Sequence, residues 1–210
     1  MFMKKLLMLA LPLLISGIAK AQTDEAAASP AHKNDNSNII AIAPIQFTEN
    51  GVGLAFSYEK GIDKAGIVAY NLPLIATFNL NNNVSNGDHQ DAMFYFSPGI
   101  KFYPTSSHGN VKYAIGPSLV IGAGEKTTHS STYLPNPGNP SNPYYYEQYT
   151  TQSKFILGIM VSNSLNINPT EHFYLGLDFG FGFTYINRLA GNNDGLTGVV
   201  QSGFKIGYRF

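Results

Sequence analysis

The 210-residue chain is long enough for one ordinary domain, and its 13 basic and 13 acidic residues give no basic footprint for nucleic acid. The absence of cysteine excludes a disulfide framework, a thiolate metal site and the lipid-bearing cysteine of a bacterial lipoprotein. Only 12% of the residues are charged, roughly half the usual share of a soluble domain, so the surface is either polar without charge or largely turned away from water.

The first element is a signal. Lys4 and Lys5 precede an apolar stretch from Leu6 to Ile18, interrupted by Pro12, and Ala19-Lys20-Ala21 offers small residues at the two positions a signal peptidase reads. This pattern predicts a cleaved secretory signal peptide over residues 1–21. The run is too short for a spanning helix, which needs about 20 apolar residues. Losing Lys4, Lys5 and Lys20 leaves a mildly negative mature chain. Gln22 to Ser37 is polar and Ala-rich without periodicity, and reads as a flexible periplasmic lead-in. The domain proper is residues 38–210. It has no apolar run long enough for a helix across a bilayer, so a membrane location requires a closed barrel.

From Asn38 the pattern has period two, which predicts strands. Ile39–Phe47 is the first, with its faces least distinct. Val52–Glu59 follows, short for a crossing. Val68–Phe78, Phe94–Phe102, Val111–Ala123 and Phe155–Ser162 come next. In Phe173–Tyr185 the odd positions are all Phe, Leu or Tyr, whereas four of the alternate ones are Gly176, Asp178, Gly180 and Gly182. Val200–Phe210 repeats that contrast. A helix, with period 3.6, cannot sort residues this way. Eight strands result, most of them about 9–11 residues long, enough to cross a bilayer.

The connections alternate in length. Lys60–Lys64, Thr105–Asn110 and Asn168–Thr170 are short and are placed in the periplasm with both termini. Thr48–Gly51, Asn81–Asp91, Lys126–Thr150 and Arg188–Leu196 fall on the outer side, where longer loops are usual. Pro44, Pro73, Pro98 and Pro117 fall inside proposed strands, where a closed sheet has no edge to hide a missing donor. They are expected at bulges or near the membrane interfaces.

Period two does not itself say which face is outside. A soluble barrel would bury the Phe/Leu face, yet the opposite face is mainly Gly, Ala, Ser and Thr. Aromatics also recur near strand ends, at Tyr58, Tyr70, Phe102, Tyr113, Phe155, Phe173, Tyr185 and Tyr208, as in interfacial girdles. With a signal peptide, eight alternating strands and a last strand ending Gly207-Tyr208-Arg209-Phe210, the chain resembles the small outer-membrane β-barrel proteins, in the style of the uncharacterised barrels of Bacteroidetes-type bacteria. The resemblance covers about residues 38–210. It implies an eight-stranded antiparallel transmembrane up-and-down β-barrel in the outer membrane, surrounded by its lipid. It also implies that Phe210, with Tyr208 as its alternate neighbour, belongs to the signal read by the barrel assembly machinery.

Candidate functional residues fall into three groups. Asp178 and Lys205 lie on lumen-facing positions of two strands expected to form a hairpin. They predict a buried ion pair, with Lys101, Lys112, Glu59 and Arg209 in a wider network. Such a network either gates a polar path or simply packs the interior, which eight strands leave just filled. The stretch Lys126–Thr150 carries Pro135, Pro137, Pro140 and Pro143 with Tyr133, Tyr144, Tyr145, Tyr146 and Tyr149. Stiffened, tyrosine-rich surface suits contact with a protein or glycan ligand. Finally, His32, His89, His108, His129 and His172 show no metal-ligand spacing, and no cofactor motif is present. His129 beside Ser130 and Ser131 gives the enzymatic alternative, a lipid-modifying barrel. A soluble periplasmic β-domain is the other alternative. The main expectation is a non-enzymatic barrel with a structural or surface-binding role.

Overall fold

In a computed structural model, the described residues are 38–63, 66–78, 89–104, 109–134, 138 and 144–210. The expected signal peptide and lead-in, and most of the tip of the Lys126–Thr150 stretch, lie outside them. The strands are β1 (Asn38–Thr48), β2 (Gly51–Gly61), β3 (Val68–Phe78), β4 (His89–Phe96) and β5 (Gly99–Phe102). They continue as β6 (Val111–Leu134), β7 (Tyr144–Ile167), β8 (Phe173–Leu189), β9 (Asn192–Asn193) and β10 (Thr197–Arg209). β4 and β5 are one crossing interrupted at Ser97-Pro98, and β9 is a two-residue return beside β8. The remaining order closes on itself, because β10 pairs with both β8 and β1. The result is an eight-membered antiparallel ring with sequential neighbours. At the seam Asn38 and Phe210 exchange two main-chain hydrogen bonds of 2.9 Å, so the last residue of the chain completes the ladder.

Side-chain burial settles the question of faces. The outward positions are large and apolar, among them Ile42, Leu54, Leu74, Phe94, Leu119, Ile159, Leu177, Phe179, Phe181 and Phe204, all exposed. Many inward positions are small or polar, including Ser57, Asn71, Ser118, Ser164, Gln201 and Lys205, all buried. In water that arrangement would leave the large side chains hydrated and remove the polar ones from solvent. In a bilayer it is the required one. Aromatics gather at both rims of the apolar band. Tyr58 and Tyr70 approach to 6.1 Å at the end that carries the chain termini, as do Tyr208 and Phe210 at 6.4 Å. Phe47, Phe78, Phe155 and Tyr185 face outward toward the other end.

The prolines divide. Pro44 sits where both the β1–β10 and β1–β2 registers shift, at a bulge. Pro98 lies in the break between β4 and β5, where its carbonyl accepts the Leu119 amide at 2.9 Å. Pro73 and Pro117 instead stand in continuous register opposite Ser57 and Val161, mid-strand rather than at an interface. Both flank the Ser97-Pro98 break. The Pro73 carbonyl accepts the Ser97 amide at 3.1 Å, and the bond that Pro73 cannot return is lost from that pair.

Two sequence expectations are corrected. Residues 126–150 are not a loop over most of their length. β6 and β7 run 24 residues each and pair without a break from Val111↔Ile167 to Leu134↔Tyr144. That exceeds twice the length needed for a crossing. β4 leaves β6 at Thr127, and β8 leaves β7 at Lys154. From Thr128 to Leu134 the hairpin therefore runs roughly 23 Å past its last neighbouring strands among the described residues, at about 3.3 Å per residue. Arg188–Leu196 is likewise not an open connection. β8 reaches Leu189 and turns back through Ala190 and Gly191, both at positive φ, 48° and 88°.

Candidate functional site

The lumen has two parts, named here from the terminal end and the hairpin end. Toward the terminal end lies the charge cluster. Asp178 pairs across the sheet with Gly203, so Lys205, two residues on, is its diagonal neighbour on the same face. The Lys205 ammonium contacts Asp178 Oδ2. Lys101, from β5, places its Nζ 2.7 Å from Glu59 Oε2 and 3.9 Å from Asp178 Oδ1. Tyr103 donates its hydroxyl to the other Glu59 oxygen. Tyr174 donates to Asn166 Oδ1 at 2.5 Å. The two lysines and Glu59 are each at most 5% exposed, so their charges are sustained by one another rather than by water.

Four of the six predicted lumen charges thus form one chain, Glu59–Lys101–Asp178–Lys205, with no net charge. Lys112 and Arg209 line a cavity of about 30 Å³ at the terminal end, together with Glu59, Asn168 and Tyr174. A second cavity, about 40 Å³, lies beside the cluster and is lined by Asn71, Ser97, Asp178, Gln201 and Lys205 among others.

Toward the hairpin end the lumen is apolar. Ile75, Met93, Tyr95, Val120, Ile156, Met160 and Val199 are buried in one cluster. Ile156 and Met160 occupy the lumen-facing positions of β7, where the sequence alternation sets them against Phe155, Leu157 and Ile159. Packed side chains fill this half. Above them the β1–β2 turn folds Glu49 back over the mouth. The residue itself is exposed, but its carboxylate accepts the Tyr95 hydroxyl at 3.0 Å and the Val200 amide at 3.3 Å. Burial raises the Glu49 pKa above the ordinary carboxylate range, while hydrogen bonds from the backbone and Tyr95, and the charge of Lys154, pull it down. Sequence reading missed Glu49. Thr48-Glu49-Asn50-Gly51 marks a tight turn, but Tyr95 and Val200 are far away in the chain and only closure of the ring brings them to it.

The projecting hairpin is the third region. At its base Thr127 donates to Asp91 at 2.7 Å and shares a 2.9 Å hydrogen bond with Thr151, tying the hairpin to β4. Higher up, His129 and Tyr149 are a cross-strand pair with ring centroids 4.9 Å apart. Tyr133 and Tyr146 are exposed, 57% and 55%. Tyr144 and Tyr145 belong to β7, with side chains outside the described residues. Ser131 lies opposite Glu147 in the register, and His129 opposite Tyr149. Among the described residues no group of three or more His, Asp or Glu is arranged to hold a metal ion. At the seam, Tyr208 pairs with Ile40 and Phe173 and stacks on His172 at 5.3 Å, beside Phe210.

No family model matches the chain, and no curated protein matches it in sequence. Solved structures do. Neisserial surface protein A is similar with a TM-score of 0.50 at 10% identity, over 83% of this chain and 96% of that one. Ail, the attachment invasion locus protein of Yersinia pestis, gives 0.45 at 13% identity over 83% and 96%. CarO of Acinetobacter baumannii gives 0.40 at 10% over 79% and 95%. At these identities the likeness concerns the fold alone. That fold is the eight-stranded outer-membrane type, as expected from the alternation.

Proposed function

We propose that the chain is a non-enzymatic outer-membrane protein whose barrel anchors the β6–β7 hairpin outside the cell, where it contacts a partner. One observation carries this reading: the hairpin continues the barrel wall roughly 23 Å past its last neighbours among the described residues. A barrel serving only as a wall has no need of it. In this reading the termini lie in the periplasm, the apolar band sits in outer-membrane lipid, and Tyr208 and Phe210 form the signal for the assembly machinery. The Bacteroidetes-type style belongs to the same reading and rests on the Gly207-Tyr208-Arg209-Phe210 ending. The partner is a protein or a glycan, met by the exposed Tyr133, Tyr146 and Tyr149.

The packed lumen supports an anchoring role over a conducting one. Wide channels need about 16–18 strands, and here an apolar cluster fills one half while paired charges fill the other. The test has two stages. On a detergent gel of the outer-membrane fraction, unheated and boiled samples should migrate differently. Replacing residues 128–150 by a tight turn should preserve that shift and abolish adherence of expressing cells to arrays of immobilised proteins and glycans. Adherence that survives the replacement would remove the hairpin from the function.

A further inference from the structure

A proline inside a transmembrane strand removes a donor that lipid cannot replace. Pro73 stands opposite Ser57 on one side, and on the other its carbonyl accepts the Ser97 amide at 3.1 Å. The return bond to the Ser97 carbonyl has no N–H to make it. Pro73 and Ser97 both line the cavity of about 40 Å³ beside the charge cluster. Two more acceptors stand in the same lining. Asn71 Oδ1 and Asp178 Oδ1 are buried, and neither accepts a hydrogen bond from the protein. Asn71 as a whole is 9% exposed.

The donors around this cavity are turned to other acceptors. Lys205 serves the second Asp178 oxygen, and Lys101 lies 2.7 Å from Glu59 Oε2 but 3.9 Å from Asp178 Oδ1. Ser118 and Ser162 share a hydrogen bond of 2.8 Å, and the Gln201 side-chain amide reaches Ser97 Oγ at 3.4 Å. A buried amide oxygen and a buried carboxylate oxygen without donors are costly. Hydrocarbon in the cavity would leave them so. A metal cation would stand against the Lys101 and Lys205 ammoniums, which already balance Glu59 and Asp178. An anion would meet oxygens that repel it. A small neutral donor fits, and the volume holds about one or two water molecules.

We propose that this cavity is a binding site for ordered water, which donates to Asn71 Oδ1 and Asp178 Oδ1 and accepts from Lys101. The charges still neutralise one another, and the water completes the hydrogen bonding of the two oxygens they leave over. It also accounts for Lys101 standing on Glu59 rather than midway between the two carboxylates, since Asp178 Oδ1 then has a donor of its own. The same water lies beside the Ser97 carbonyl, so the lumen supplies what lipid denies the wall at Pro73. The site is independent of the hairpin and of what the hairpin contacts.

The test is made on the full-length protein in lipid nanodiscs. Water–protein NOE and ROE spectra should show the side-chain amides of Asn71 and Gln201 in contact with long-lived water. Asn71→Leu, nearly equal in size, then separates an occupied site from an unserved acceptor by the sign of its effect. Removing an unserved acceptor relieves its burial penalty and would raise the urea midpoint. Expelling a water that Asp178 Oδ1 also uses should lower the midpoint and erase the water contact at Gln201.

Absence of long-lived water at both amides of the native protein overturns the site, whether or not the variant folds. A raised midpoint for Asn71→Leu overturns it as well, as does a water contact at Gln201 that survives the substitution. A native midpoint that rises with sodium or potassium chloride, but not with choline chloride, overturns the water assignment in favour of a bound cation.

Discussion

At the terminal end of the lumen, Glu59, Lys101, Asp178 and Lys205 fill the space with paired charge; at the hairpin end, Ile75, Met93, Val120, Ile156 and Met160 fill it with hydrocarbon. Both halves sit inside the same ring and both are buried, yet they fail differently. In the apolar half each side chain contributes through contact area, so a small loss of volume costs a small amount. In the charged half each group is tolerable only while its partner is present, so removing one strands another. The outward face follows neither rule, because its solvent is lipid.

The largest effect expected is at Asp178. Asp178→Ala leaves Lys205 without its partner and Lys101 with only Glu59, and should cost about 3–5 kcal/mol of unfolding free energy in lipid vesicles. A cost below about 1 kcal/mol would mean that the cluster is hydrated rather than self-sustained. Next is the lipid face. Phe179, 49% exposed and directly beside Asp178 in sequence, points the other way. Phe179→Arg should cost about 2–4 kcal/mol. A neutral result would place that position outside the hydrocarbon region. In the apolar half, Ile156→Val should cost about 0.5–1.5 kcal/mol, and urea titration of the three variants together orders the three environments.

The mouth sharpens the comparison through pH. Burial raises the Glu49 pKa in the folded state. Between the ordinary glutamate value and the raised one, the folded protein therefore holds more protons than the unfolded chain, and stability increases as pH falls through that window. Glu49→Gln should flatten this part of the stability–pH curve, on the alkaline side of the ordinary glutamate value. If the variant and the native protein keep parallel curves, the carboxylate is not held over the mouth. The smallest effect is at Ala190, whose φ of 48° lies in the left-handed region. Ala190→Gly should gain up to about 1 kcal/mol by relieving it, read as a later urea midpoint.

Much of this was legible in the chain. Alternation located every crossing, because lipid outside demands a large apolar side chain at every second position and the packed interior does not. Asp178 and Lys205 were legible as a pair, because they lie on adjacent strands joined by a short connection. Lys101 and Glu59 were legible only as members of a network. Their 2.7 Å contact joins β5 to β2 past the intervening β3, and no local pattern measures that distance. The hairpin was hidden for a different reason. Thr, Ser, Gln and Tyr from 126 to 150 keep strand geometry by pairing β6 with β7, but with water on both faces they show no apolar contrast to betray the period.

The sequence by itself determined the number of crossings, their faces and the charge types available to the lumen, since each is fixed by the solvent that a residue and its immediate neighbours meet. Only the tertiary structure decided which charges pair, that one half of the lumen is hydrocarbon, that Glu49 folds over the mouth, and how far β6 and β7 run on as a pair. Those outcomes depend on which strands closure of the ring sets side by side and where each strand outruns its neighbour.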